Sequence, residues 1–189
     1  MIMIKIKSFF IIIALISWSM NINSAEIDGV SFQDEYIVGK EKLLLRGYST
    51  LTYMLFIKAY SGALYLRSEI SSEQALGETP RIIQLHYFHK ISAVDFRNAT
   101  VEMIKKNTSS AEFQKIKDQL DTFNGFYKDV NPGDRYTAAY FPSHGTTLYL
   151  NKKALGTLKG SEFSKAFFSI WIGQKPIDKK FRDRLLGKK

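Results

Sequence analysis

The chain has 189 residues, a formal net charge of +9, 45% hydrophobic residues and no cysteine. The lack of cysteine excludes disulfide bonds, thiolate metal sites and a cysteine nucleophile. The sequence contains no phosphate-binding loop, dinucleotide-binding glycine motif, zinc-protease motif or serine-hydrolase motif, which excludes the enzyme classes that those signatures mark.

The first 25 residues show the three parts of a secretory signal peptide. A short lead with two lysines is followed by an uncharged run from Ser8 to Ala25. The apolar block at residues 9–16 is shorter than a permanent transmembrane helix, which needs about 20 apolar residues. We predict cleavage after Ala25, with Ser24 as the second choice, and a periplasmic or secreted domain over residues 26–189. The alternative is an uncleaved N-terminal anchor.

The charge of the mature domain limits its partners. The leader holds two lysines and no acidic residue, so the mature domain carries a net charge of +7. A basic surface suits anionic membranes, acidic ligands or nucleic acid. Export argues against nucleic acid, and the lysines are dispersed along the chain rather than gathered in one run. We therefore predict a solvated surface, a monomer and at most transient contact with membranes.

The first half of the mature domain is rich in strand-forming residues. Residues 29–38, 42–48 and 81–89 are candidate strands. Residues 51–66 form a longer run of aromatic, β-branched and aliphatic residues. We predict one long strand there, with a bulge or bend at Ser61-Gly62.

Helices and a hairpin make up the second half. Ser92 and Asp95 have the spacing of a capping box, which predicts the start of a first helix. The order strands, helices, hairpin, helices lacks the β-α-β alternation of a parallel sheet, so we predict an α+β fold with an antiparallel sheet backed by helices. The further predicted elements are a helix from Ser110, strands at 135–141 and 146–150 joined by residues 142–145, and helices capped by Ser161 and Asp178.

Arg46 is the most informative charged residue. It follows the apolar run Leu43-Leu44-Leu45 and precedes a long strand-forming region. Burying a guanidinium group is costly unless an anion meets it, and its planar fork suits a carboxylate. Arg46 therefore points to an anionic partner, either in the protein or in a ligand. The alternative is an arginine at a strand edge whose head group reaches water.

The remaining candidates are histidines and aromatic residues. His86 and His89 lie an odd number of residues apart, so they point to opposite faces of a strand and cannot share a metal ion through it. We predict no metal site and no cofactor. Aromatic residues make up 14% of the chain, and they either line an apolar pocket or form the core.

Several local strings, in their order and spacing, resemble the chalcone isomerase family over nearly all of the mature chain. The resemblance is greatest to the bacterial, secreted chalcone-isomerase-like branch. It implies an open-faced β-sandwich, in which a large antiparallel sheet is covered on one face by a layer of helices with a ligand cleft between them. The matching strings are Arg46-Gly47, residues 57–66, residues 96–102, Gly133-Asp134, residues 166–173, Pro176 and residues 184–187.

The resemblance also implies positions for a ligand site. True isomerases of this family close a ring by an intramolecular addition, and they use an arginine, a strand threonine, a helix tyrosine, an asparagine and a serine or threonine. Two of these polar positions are apolar here, because Phe96 cannot donate a hydrogen bond and Met103 has only a weak thioether acceptor. In the family's order, the corresponding positions are Arg46, Tyr60, Phe96, Met103 and Ser169, with Ile170 as an alternative to the last.

These departures favour binding over catalysis. The family's fatty-acid-binding branch pairs the arginine with a tyrosine to hold a carboxylate, and Arg46 with Tyr60 is similar to that arrangement. We predict a non-catalytic protein that binds a small amphiphilic carboxylate, such as a fatty acid, in an apolar cleft. One alternative is an intramolecular lyase or isomerase acting on an unidentified enone, with Arg46 stabilising the developing negative charge. Another is a structural protein that uses the fold without a ligand.

Overall fold

The computed structural model describes residues 24–54 and 56–188. The predicted leader up to residue 23 lies outside the described residues. Within them, no helix combines the length and the apolar character that crossing a bilayer requires. The elements, in chain order, are β1 Ser24–Ile27, β2 Val30–Gln33, β3 Glu35–Val38, β4 Glu41–Tyr53, β5 Ile57–Leu66, β6 Arg81–Tyr87, α1 Ala93–Asn107, α2 Ser110–Asn124, β7 Arg135–Phe141, β8 Gly145–Leu150, β9 Lys153–Leu158, α3 Ser161–Ile172 and α4 Lys179–Leu185.

Strands β3 to β9 form one antiparallel sheet in which every strand pairs with its neighbours in the chain. Helix α4 packs on β4 and β5, α3 contacts β8, and α2 contacts β9. The predicted α+β fold, with a large antiparallel sheet covered by helices, is confirmed. The short hairpin β1–β2 packs on the opposite face, where Phe32 shares a buried cluster with Tyr65 and Ile82. That face is therefore partly covered as well.

The structure corrects the prediction of one long strand over residues 51–66. The chain turns at Met54, which has a positive φ of 48°, and residues 41–53 and 57–66 form two paired strands. Gly62 lies inside β5 and marks no bend. A Cβ atom at this position would lie 2.7 Å from the Phe181 ring, so the glycine lets α4 approach the sheet. Residues 29–38, predicted as one strand, likewise form two.

Strand β9 was not predicted from the sequence. It pairs with β8 through a two-residue turn at Asn151 and Lys152, whose φ angles are 49° and 71°. Positive φ at both positions is typical of a type I′ hairpin turn, in which asparagine is favoured and glycine usually follows. Lysine in the second position hides this signal.

Side-chain caps start three of the helices. Ser92 and Asp95 form the predicted capping box of α1, and Ser109 forms a second box for α2. Asp178 caps α4 by accepting a hydrogen bond of 2.7 Å from the Phe181 amide. The predicted cap at Ser161 is wrong, because Ser161 is the first residue of α3 and Gly160 precedes it without a side-chain cap.

Two arginines hold the loop at residues 67–80, which joins β5 to β6. Arg81 is fully buried and donates hydrogen bonds to the carbonyl oxygens of Ala75 and Gly77, at 3.2 and 2.7 Å. Its guanidinium also lies 4.4 Å from the ring centre of Tyr140. From the other side, Arg46 donates to the carbonyl oxygens of Arg67 and Ile70. Arg46 donates to carbonyl oxygens, and the terminal nitrogens of Arg81 donate to carbonyl oxygens and to the Ser164 hydroxyl at 2.7 Å. Neither guanidinium meets a carboxylate, and the buried Nε of Arg81 has no hydrogen-bond partner among the described residues.

Candidate binding cavity

A cavity of about 560 Å³ lies between the sheet and helices α1 and α3. Its volume falls in the usual range for ligand pockets, which is about 300 to 1,000 Å³. The exposed residues among its lining, such as Tyr53, Asp95 and Ile177, mark its mouth. The other lining residues are Leu51, Thr52, Ala59, Tyr60, Ile83, Leu85, Tyr87, Ile91, Phe96, Ala99, Thr100, Met103, Tyr127, Tyr136, Ala138, Leu148, Phe167, Ile170, Trp171 and Asp178.

Aromatic rings in mutual contact form one wall of this cavity. Tyr60 and Tyr87 are paired across β5 and β6, with ring centres 5.5 Å apart. Tyr87 contacts Phe96 of α1 at 5.3 Å, and Phe96 stacks on Tyr127 at 5.4 Å. Tyr136 of β7 meets Phe96 edge-on at 5.2 Å. Edge-on and offset contacts of this kind stabilise aromatic clusters, so the wall is held in a fixed arrangement.

The hydroxyl groups of this wall fall into two sets. Tyr136 donates to and accepts from the backbone of Lys128, both at 2.8 Å, and Tyr127 pairs with Thr100 at 2.9 Å. These hydroxyls are satisfied within the protein. Tyr60 only accepts, from the indole Nε1 of Trp171 at 3.1 Å, and we find no hydrogen-bond partner for Tyr87 among the described residues. Tyr60 and Tyr87 therefore have donor capacity left for a ligand.

The electrostatics of the cavity favour neutral groups. Burial raises the pKa values of Tyr60 and Tyr87 well above the ordinary value, so both phenols stay protonated at neutral pH. The charged side chains of the lining are Asp95 and Asp178, and the lining holds neither lysine nor arginine. A buried anion would thus meet hydrogen-bond donors but no cation.

The structure brings together three of the five residues predicted for the site. Tyr60, Phe96 and Met103 line the cavity. Arg46 is not part of the lining, since its guanidinium is directed to the loop at residues 67–80. Ser169 faces a separate groove and donates a 2.6 Å hydrogen bond to Ala166, whereas Ile170, the alternative register, lines the cavity.

A β-bulge accounts for the position of Arg46. Leu45 pairs with Tyr65 and Gly47 pairs with Leu64, so Arg46 is the extra residue of β4 and has no partner on β5. A Cβ atom at Gly47 would lie 2.0 Å from the carbonyl oxygen of Arg184, which shows that the end of α4 packs directly on this bulge. The Arg46-Gly47 string thus serves the packing of α4 and of the loop at residues 67–80.

Sequence reasoning missed Tyr87, Thr100, Tyr127 and Tyr136 as lining residues. The sequence carried a partial signal for Tyr87, because Leu85 and Tyr87 lie two positions apart on a predicted strand and so point to the same face. Tyr127 follows the end of α2, and no periodicity marks it. Among residues 24–54 and 56–188, no group of His, Cys, Asp and Glu side chains is arranged to hold a metal ion.

Comparison with known proteins identifies the family of the chain. A family model described as chalcone isomerase-like matches residues 24–187. The chain belongs to this family. A crystal structure of a fatty-acid binding protein from Arabidopsis thaliana has a similar fold, with a TM-score of 0.67 and 16% sequence identity over 87% of this chain and 96% of that one. No curated protein sequence matches the chain.

Replacing a tyrosine by phenylalanine should affect stability differently in the two sets, because only one set has hydroxyls that are paired within the protein. Tyr136→Phe leaves the amide and carbonyl of Lys128 unpaired, so we expect it to lower the free energy of unfolding by about 1–2 kcal/mol. Tyr87→Phe removes a hydroxyl without a protein partner, and we expect a change within about 0.5 kcal/mol. Chemical denaturation of the ligand-free protein measures both. Equal losses in the two variants would show that the Tyr87 hydroxyl is paired.

Proposed function

We propose that the protein is a non-catalytic binding protein for a small single-chain amphiphile such as a fatty acid. The observation that carries this proposal is the cavity of about 560 Å³, which is lined by aromatic and aliphatic side chains and has exposed residues at one end. The similar fold of a fatty-acid binding protein supports it. The apolar chain lies inward between the sheet and α1, where burial of its methylene groups supplies most of the binding free energy.

The head group binds at Tyr60 and Tyr87 in this proposal. Their rings are 5.5 Å apart on neighbouring strands, and each hydroxyl has a hydrogen to donate. This arrangement replaces the carboxylate anchor that we predicted at Arg46. The Arg46 side chain would have to leave the carbonyl groups of Arg67 and Ile70 to reach a ligand.

The absence of a cation from the lining determines which charge state of the ligand head group the cavity prefers. Two phenol donors stabilise an ionised carboxylate less than an arginine does. The carboxylates of Asp95 and Asp178 lie on the same lining and disfavour a further negative charge. The cavity therefore favours a protonated acid or an uncharged head group such as an alcohol. The alternative activity, an intramolecular lyase or isomerase, needs hydrogen-bond donors or a cation beside the developing oxyanion. The lining offers the hydroxyls of Tyr60 and Tyr87 but no cation, and Arg46, the cation predicted for this role, lies outside it.

We also propose that the protein acts outside the cytoplasm, in the periplasm or as a secreted protein. The cationic lead, the short apolar block and the small residues before Glu26 support export. We expect cell fractionation to recover it outside the cytoplasm, with an intact mass that lacks residues 1–25. Deletion of residues 2–23 should retain it in the cytoplasm. A full-length mass in the membrane fraction would show an uncleaved anchor instead.

The head-group proposal predicts which variants lose binding. We expect the double variant Tyr60→Phe/Tyr87→Phe to bind palmitic acid about tenfold more weakly, the equivalent of about 1.4 kcal/mol, in displacement of a fluorescent fatty-acid probe. Arg46→Gln is the control, with affinity within about twofold of the wild type. A tenfold loss in Arg46→Gln with no loss in the tyrosine variant would restore Arg46 as the anchor. Failure of the wild type to bind any single-chain amphiphile would refute the proposed function.

The affinity for a fatty acid should fall as the pH rises. Burial without a cation raises the pKa of the ligand carboxyl above its free value, which is about 4–5 as for other carboxylic acids. The protonated acid is then the tightly bound form, so affinity is highest below the free pKa and is lost through the pKa of the bound form. We expect palmitic acid to show this decrease and hexadecanol, which does not titrate, to show none. A rise in palmitate affinity with pH would indicate a cationic anchor.

A further inference from the structure

Exposed apolar side chains cluster around the mouth of the cavity. The turn between β4 and β5 presents Tyr53, Met54 and Phe56 with 61%, 69% and 87% of their surfaces exposed. Exposed large apolar groups gathered in one place mark interaction sites more often than single ones do. We call this cluster the apolar rim; it consists of Tyr53, Met54, Phe56, Ile57, Val94 and Ile177.

Three separate segments of the chain build the apolar rim. Tyr53 and Ile177 belong to the cavity lining themselves, so they connect the rim to the interior. Val94 lies in the first turn of α1, directly before the lining residue Asp95. Phe56 follows within the β4–β5 turn. The apolar surface of the cavity thus continues outward onto the surface of the protein.

Lysine and arginine residues lie close in the chain to the residues of the apolar rim. The segments 53–58, 89–97 and 174–180 hold six lysines and arginines and two aspartates. Lys58 pairs with Asp28, whereas the other five form no salt bridge within the described residues. Apolar side chains ringed by lysine and arginine are typical of proteins that bind at the surface of an anionic bilayer, since the apolar groups enter the interface and the cations meet the phosphates.

The charge argues for a bilayer rather than for a second copy of the chain. A symmetric dimer through the apolar rim would bring the same basic segments of both copies together, which opposes association. An anionic bilayer offers charge complementarity to these segments and an apolar phase for Phe56. It is also a phase in which single-chain amphiphiles dissolve.

We propose that the apolar rim docks the protein on anionic lipid bilayers, with the mouth of the cavity facing the membrane. The ligand then passes between the bilayer and the cavity without crossing water. The transfer of ligand rests on the proposed function, whereas docking on the bilayer is measurable without any ligand. The sequence alone predicted at most transient contact with membranes, and the inference goes beyond that prediction because it names the surface that docks.

Sedimentation with lipid vesicles tests the docking. We expect the purified protein to bind vesicles of phosphatidylcholine that contain phosphatidylglycerol, and to bind pure phosphatidylcholine vesicles at least about tenfold more weakly. Phe56→Ser/Ile57→Ser should lower binding to the anionic vesicles by about tenfold. The control Ile37→Ser/Val38→Ser changes another exposed apolar pair, on β3, where Ile37 is 67% and Val38 is 43% exposed. This control should bind the vesicles within about twofold of the wild type.

The same variants separate docking from ligand binding. Phe56 and Ile57 do not line the cavity, so the rim variant should keep the affinity of the wild type for palmitic acid in the absence of vesicles. Loss of vesicle binding with intact palmitic acid affinity supports the inference. A wild type that binds palmitic acid but no anionic vesicle overturns docking and leaves the proposed function intact. Equal losses in the rim variant and the control overturn the assignment to the rim, as does a wild-type dimer that the rim variant dissociates.

Discussion

Side chains on β5 and β6 alternate between two covered faces of the sheet, and this alternation decides where the cavity lies. Tyr60 and Tyr87 point to the helices, whereas Tyr65 and Ile82 point to the β1–β2 hairpin. A shift of one residue would exchange the two sets. Because both faces of these strands are buried, a shift of one residue in either direction is not tolerated. The side chains of Tyr60 and Tyr87 are therefore held beside α1.

Helices α1 and α3 complete the cavity because they contact each other without filling the space above the sheet. Phe96 of α1 reaches the sheet and joins the aromatic wall, and Met103 closes the same side with a flexible thioether. At these two positions the resemblance to isomerases had placed a tyrosine and an asparagine. The polar side chains that line the cavity are therefore tyrosines, Thr52 and Thr100, the indole of Trp171 and the carboxylates of Asp95 and Asp178, without an arginine or an asparagine.

Much of the fold was predictable from the sequence, because strand and helix periodicities and capping residues are local signals. The capping box at Ser92 and the helices followed directly from them. The site was less predictable. Arg46 combined a charged group with an apolar neighbourhood, yet a bulge of one residue directs it to backbone carbonyls, and no local pattern announces a bulge. Ser169 and Ile170 differ by one helical position, about 100° of rotation, which the sequence alone could not resolve.

The order of the strands has a consequence for how the protein acquires its cavity. Each neighbouring pair in the seven-stranded sheet is joined by a short connection except β5–β6 and β6–β7, and the latter link contains both α1 and α2. Short connections cost little chain entropy to close, so we expect β3–β5 and β7–β9 to form as local units before β6 and β7 meet. Leu85 and Tyr87 come from one side of that junction, and Tyr136 and Ala138 from the other. The cavity therefore needs the pairing of β6 with β7, and we expect ligand binding to report that this long-range pair has formed.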